Sequence, residues 1–268
     1  MKRHKICKII FAILAVFLCV AFYELIGICI TYKKQPAVSD ATIKETQNIM
    51  SVAGRENTER AVIIEKNSQA LLERVRLIQN AKDEIILSTF AFKSDESGKL
   101  ILGALHDAAD RGVHVRILVD GMESWIDMEG NAYFYGLSSH ENVEIKLYNK
   151  ANPLKPWKTM GRMHDKYLIA DGKIYILGGR NTYNYFLGDF PGHKNFDRDV
   201  LVVCDEPQKD NSVNQLWNYF ETIWEQEDCR YFHNSKKLAD RQSVKKAVLE
   251  LQEGYQQYFE VNKEKICD

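Results

Sequence analysis

The sequence predicts an α/β domain, a mixed β-sheet flanked by helices on both faces, preceded by one N-terminal transmembrane helix. Three observations predict it. From about residue 61 onward, strand-like and helix-like segments alternate along the chain. Two of the strands are joined by a tight Asp171-Gly172 turn, so part of the sheet is antiparallel. Ahead of all this, Ile9 to Tyr32 is an apolar run whose single charged residue is Glu24.

That run comes first in chain order. At about 1.5 Å per residue it reaches roughly 35 Å, enough to cross a bilayer. Tyr23 and Tyr32 suit the interface at its C-terminal end. A cleaved signal peptide would carry a shorter apolar core and a small-x-small site, and neither is found, so residues 1–32 read as an uncleaved anchor. Lys2, Arg3, Lys5 and Lys8 precede the run, while Lys33 and Lys34 follow it. That bias puts the N-terminus inside and the large domain outside the cytoplasm, at the cell membrane. Residues 33–60 are polar and read as a linker.

Asn67 to Lys82 places Leu71, Leu72, Val75 and Ile78 at helical spacing. Glu84 to Phe92 (EIILSTFAF) reads as a strand. Gly98 to Arg111 is an amphipathic helix stopped by Gly112, and Val113 to Asp120 is the next strand. After a less regular region come strands at Val143 to Tyr148, Lys166 to Ala170, Ile174 to Leu177 and Asp199 to Cys204. Ser212 to Glu225 is a helix with Val213, Leu216, Phe220 and Trp224 along one side. The core domain is expected over 61–228, with a charged helical extension over 229–268.

Composition excludes little. The 268 residues carry 36 Lys and Arg against 37 Asp and Glu, a net charge of −1, so nothing global points to nucleic-acid binding. The six cysteines form no C-x-x-C pair and no zinc spacing, so neither a disulfide framework nor a metal site is expected, and no cofactor is implied.

The chemistry lies in residues 164–181, HDKYLIADGKIYILGGRN. His164 and Lys166 are two apart, four residues separate Lys166 from Asp171, and six more lead to Gly178-Gly179-x-Asn181. By chance this pattern should arise in roughly one chain in a hundred thousand or fewer. Two residues apart on a strand, His164 and Lys166 share a face. Asn181 follows the other strand of the hairpin, after two glycines that let backbone approach a ligand. Imidazole, ammonium and carboxamide then converge on what reads as a phosphate site. A lone histidine is more often a packing residue, a lone Lys solvated and a lone Asp-Gly merely a turn; the combination is what signals function.

This motif resembles that of the phospholipase D superfamily, with Gly179 where Ser is more frequent. Its Gly-Gly-Arg-Asn form looks like the N-terminal half of bacterial cardiolipin synthase-like proteins. Ser97 to Gly121 and Asn195 to Val203 resemble the same family, and the likeness runs over roughly residues 61–226. The resemblance implies that His164 attacks phosphorus to form a phosphohistidine, and that Lys166 and Asn181 bind the non-bridging oxygens. It makes Gly178 and Gly179 part of the substrate-binding wall and Asp171 a residue that ties down the motif. Asp197, with Asp199 as the fallback, is expected to orient the imidazole. No metal is required. Because family members carry Ser at that position, Gly179→Ser is expected to be tolerated.

The family's sites use two such motifs, and here there is one: His106, His114, His140, His193 and His233 all lack a Lys two residues on. Three readings stay open: a homodimer pairing two His164 residues, the N-terminal half of a longer or split two-motif protein, or an inactive remnant; a reading from another class is a non-catalytic membrane subunit that supplies half a site to a partner. The anchor favours a phospholipid substrate, cleaved by water or transferred to an alcohol. The stretch 150–162, with Lys150, Lys155, Lys158, Arg162 and Trp157, is a candidate for meeting an anionic headgroup or the interface. The rival enzyme reading is a membrane-tethered single-motif endonuclease, which a neutral chain with one modest basic loop does not favour.

Overall fold

The computed structural model describes residues 2–33, 39–44, 59–150, 152, 154–158, 160–205, 211–233 and 235–267. Most of the linker expected at 33–60 lies outside the described residues. The chain divides into two compact units, one of residues 1–57 with 151–162, the other of residues 58–150 with 163–268.

In the first unit a single helix, α1 (Lys2–Lys33), holds the apolar run. Its stretch His4–Ile30 has a mean hydropathy of 2.7 and is long and apolar enough to cross a membrane. Toward its C-terminal end, the Tyr23 hydroxyl donates to the Leu154 carbonyl at 3.2 Å. Gly27 lies against Pro156, where a Cβ would come within 2.7 Å of the ring. Pro156 opens a short 3₁₀ turn, Pro156–Lys158.

The second unit is built on an eight-stranded mixed sheet. In chain order its elements are β1 (Glu59–Ile64), α2 (Asn67–Asn80), β2 (Glu84–Thr89), α3 (Glu96–Asp110), β3 (His114–Asp120), α4 (Gly121–Asp127), α5 (Ala132–Ser138), β4 (Val143–Tyr148), β5 (Lys166–Ala170), β6 (Ile174–Gly178), β7 (Asp199–Cys204), α6 (Ser212–Trp224), β8 (Cys229–Tyr231), α7 (Lys236–Ala239) and α8 (Gln242–Cys267). The strand order is β1-β7-β6-β5-β2-β3-β4-β8. Strands β2, β3 and β4 run parallel, and every other pairing is antiparallel.

The central strands are apolar on both sides, as a doubly covered sheet requires. Ile85, Leu87, Val115, Ile117, Val119, Leu168 and Ala170 point into one core, which α2, α3, α5 and α8 complete. Ile86, Leu118, Tyr167 and Ile169 point the other way, onto Val213, Phe220 and Trp224 of α6. The predicted two-sided mixed sheet is therefore the observed architecture.

Several elements differ from the sequence reading. β1 straddles the boundary expected between linker and domain, and β8 is a strand where the helical extension was expected to begin. The less regular region between β3 and β4 holds two short helices, α4 and α5. β2 ends at Thr89, and Phe90 begins a bend. β5 begins at Lys166, so His164 lies just ahead of the strand and not on it. Residues 229–267 pack within the same unit as the sheet, with Val244, Leu251, Tyr255 and Ile266 of α8 buried in its larger core.

Candidate active site

The pairing geometry puts the motif on one edge of the sheet. Thr89 at the end of β2 faces Lys166 at the start of β5, and Gly178 at the end of β6 faces Asp199 at the start of β7. Because β3 and β4 run parallel to β2, their C-terminal ends reach this edge too. Parallel strands of an α/β sheet characteristically present ligand sites at their C-terminal ends.

The two residues that follow β2 organise the site. The Phe90 ring meets the His164 imidazole edge to face, with centroids 4.6 Å apart. The Lys166 ammonium lies 5.5 Å from the same ring centroid and donates to the His164 carbonyl at 2.7 Å. The next residue, Ala91, donates its backbone N–H to the Asn181 carboxamide oxygen at 3.2 Å. That bond fixes the amide orientation and turns its NH₂ end into the donor available for a ligand. Backbone bonds from Thr182 to Ala91 and from Lys93 to Thr182, at 3.0 and 3.2 Å, lace the two segments together. Imidazole, ammonium and carboxamide are thus held around a single Phe90-Ala91 step. His164 is exposed, while Lys166 and Asn181 are only 6% exposed.

Burial also sets the electrostatics. Desolvation pulls the Lys166 ammonium below the ordinary lysine range, and the nearby Asp165 and Asp197 carboxylates oppose that shift. Asp197 sits over Gly179: a Cβ there would overlap its carboxylate. Asp199 sits in the same way over Gly178. The room opened by the two glycines is filled by carboxylates arriving from the β7 side, so what each glycine is seen to admit is an acid.

Asp199 is committed elsewhere. It is 2% exposed and pairs with Arg74 at 2.9 Å and Arg180 at 3.3 Å. Arg180, between the glycine pair and Asn181, also reaches the carbonyls of Ile64 and Glu65 and the Asn67 side chain. This buried cluster ties the motif to the β1–α2 junction. Asp197 is half-buried and accepts from the Arg198 N–H at 2.7 Å.

Asp171 stands at the opposite end of β5, about 17 Å along the strand from Lys166. Its carboxylate accepts the backbone N–H groups of Lys82, Asp83 and Glu84 at 2.8 to 3.2 Å. It adopts φ of 53°, a left-handed conformation that Asp tolerates in turns. A cavity of about 220 Å³ bordered by Ala170, Asp171 and Cys267 lies at that far edge, away from the motif.

The sequence reading missed three contributors. Phe90 and Ala91 read as ordinary strand residues, and no signal marked them. Asp120, 1% exposed, caps α4 by accepting from Met122 and Glu123 and also accepts the Met163 N–H at 3.1 Å. It therefore fixes the backbone one residue before His164. An Asp followed by Gly at a strand end was the available clue. Among the described residues no group of His, Cys, Asp and Glu could hold a metal ion.

Known proteins place this architecture. Residues 75–224, more than half of the chain, match the family described as "Cardiolipin synthase, PLD-like domain". An uncharacterised protein of Helicobacter pylori (strain ATCC 700392 / 26695) is 33% identical over 181 residues, covering 62% of this chain and 35% of that protein. Cardiolipin synthase C of Escherichia coli (strain K12) is 29% identical over 154 residues, 52% of this chain and 31% of that protein. The chain thus spans about a third of the length of these relatives. In fold it is similar to the crystal structure of phosphatidylserine synthase from Haemophilus influenzae Rd KW20, with a TM-score of 0.53 and 15% identity over 82% of this chain and 48% of that one. The chain belongs to the phospholipase D superfamily, through a domain of its cardiolipin synthase-like family.

Proposed function

We propose that this chain is a membrane-anchored phosphodiesterase or phosphatidyltransferase of the cardiolipin synthase-like type, acting on a phospholipid through a phosphohistidine on His164. One ring nitrogen of His164 attacks phosphorus, and the bond from phosphorus to the leaving alcohol breaks. Lys166 and the Asn181 amide stabilise the charge on the non-bridging oxygens as the five-coordinate transition state forms. Water or a second alcohol then attacks the phosphohistidine and releases His164. Asp197, beside Lys166 and over Gly179, is the acid proposed to orient the imidazole, since Asp199 is already paired with two arginines.

The observation that carries this reading is the convergence of His164, Lys166 and Asn181 on the Phe90-Ala91 step. The leaving alcohol needs a proton, and the single motif supplies no second acid. A second copy of this chain, or a separate chain with the missing motif, is proposed to donate it. The helix α1 is proposed to anchor the protein with its catalytic domain outside the cytoplasm, which supports a lipid substrate.

The test uses the full chain in detergent micelles with phosphatidylglycerol, and separately with single-stranded DNA. Turnover is expected on the lipid and not on DNA, by the chain itself where a second copy donates the acid and only after a second-motif chain is added where a separate chain does, and His164→Ala should abolish it while leaving the circular dichroism spectrum unchanged. Retained turnover in that variant rejects the nucleophile. Cleavage of DNA alone assigns the nuclease chemistry instead.

A further inference from the structure

We infer that the motif-bearing edge of the sheet is a bilayer-docking face, with Trp125, Ile126 and Phe196 entering the lipid interface. The inference rests on the membrane reading above and adds to it the surface that meets the lipid.

Three large apolar side chains stand in water on this edge. Trp125 and Ile126 are 62% and 66% exposed on α4, which starts at the very end of β3. Phe196 is 79% exposed, three residues ahead of β7 and next to Asp197. They do not belong to either hydrophobic core. α4 turns Gly121 and Ser124 inward and leaves most of the Trp-Ile pair in solvent. The Trp125 indole, with an apolar body and a polar N–H, suits the boundary between water and lipid, and the wholly apolar Ile126 and Phe196 suit the acyl side of it.

The occupant follows from what the same chain carries. Lys150, just past the end of β4, and Met163, just ahead of His164, mark where the chain leaves and re-enters this unit. The excursion between them bears Leu154, Trp157 and Met160, each at least 45% exposed, with the exposed Lys155. It packs in its own unit against the apolar helix α1. A bilayer is the partner that a 27-residue apolar helix brings to the same chain. Two of the acidic groups near Trp125 have lysine partners, Asp127 with Lys93 and Glu129 with Lys150, while Glu123 lies on the same helix as Trp125.

The experiment places the full chain in nanodiscs of phosphatidylcholine and phosphatidylglycerol, with the acyl chains either plain or brominated near the headgroup. Bromine quenches only tryptophans within contact of the lipid. Trp125→Phe is expected to remove part of the quenched emission, and Phe196→Trp, which adds a reporter, to gain it. Neither measurement needs enzymatic turnover, so its outcome is separate from that of the catalytic reading. A chain that elutes with the discs but whose quenched emission ignores both substitutions overturns the docking face and leaves the anchor standing. A chain that elutes without the discs overturns both. Self-association that depends on Trp125, with no quenching of it, gives the surface to a second copy and also overturns the inference.

Discussion

At the level of single residues, Gly179 decides how near a carboxylate comes to the cation of the motif. The expectation that Gly179→Ser is tolerated holds for the fold, because a Cβ there overlaps only the carboxylate end of the Asp197 side chain, which can swing aside. We expect the serine variant to push that carboxylate aside and to lower kcat about 10-fold or more, since misplacement by about 1 Å costs up to roughly 100-fold. Steady-state kinetics on phosphatidylglycerol measures it; an unchanged kcat contradicts the role given to Asp197. Lys166 makes a pH prediction. Burial disfavours its ammonium, so the charge is complete below its lowered pKa and is lost as pH rises through that value, earlier than for an ordinary lysine. An anionic phosphodiester stabilises the ammonium once bound. The alkaline limb of kcat/KM should therefore fall at lower pH than the limb of kcat, and coincident limbs would speak against the contact. Asp120 separates folding from positioning. In Asp120→Asn one oxygen still caps α4, but the amide that replaces the other cannot accept the Met163 N–H. Thermal stability should change little while kcat falls roughly 10- to 100-fold; a variant with normal kcat removes Asp120 from the positioning of His164.

At the level of elements, the hairpin of β5 and β6 is clamped at both ends by different means. The end that carries Lys166 and Asn181 is held by Arg180 and the Ala91-Thr182 lacing, and the far end by Asp171 on three backbone N–H groups. Asp171→Ala leaves those donors unmet and should cost roughly 1–3 kcal/mol in denaturant unfolding, with kcat per folded molecule nearly intact. A stable variant that has lost kcat would instead place Asp171 in the chemistry. Much of this was legible in the sequence, because period-two apolar runs and an Asp-Gly turn are local signals: six strands and three helices fall within a few residues of their predicted bounds. What was hidden depends on long-range pairing. β8 is three residues long and exists because it pairs with β4, and β1 exists because it covers β7. Phe90 and Ala91 carry no local mark, because their role arises only when the segments that follow β2 and β6 meet beyond the start of the intervening β5. His164 belongs to the same class: the motif named it, but its place ahead of β5 is set by where the pairing with Thr89 stops.

At the level of the whole molecule, the central fact is that one chain presents one motif on one sheet edge. The larger core is closed by α8, whose Val244, Leu251, Tyr255 and Ile266 are buried against α2, α3 and α5. At about 1.5–3 kcal/mol per buried large apolar side chain, that contribution is comparable to the net stability of a domain. The unit therefore needs its C-terminal helix to fold, whatever supplies the second acid. The most direct test of the account is to trap the covalent intermediate. The full chain is turned over with phosphatidylglycerol labelled at phosphorus, quenched in alkali, digested, and the modified peptide identified by mass spectrometry. We predict an alkali-stable, acid-labile phosphoryl adduct on His164 that is absent from His164→Asn. Turnover accompanied by an adduct on any other residue, or continuing in His164→Asn, contradicts the account.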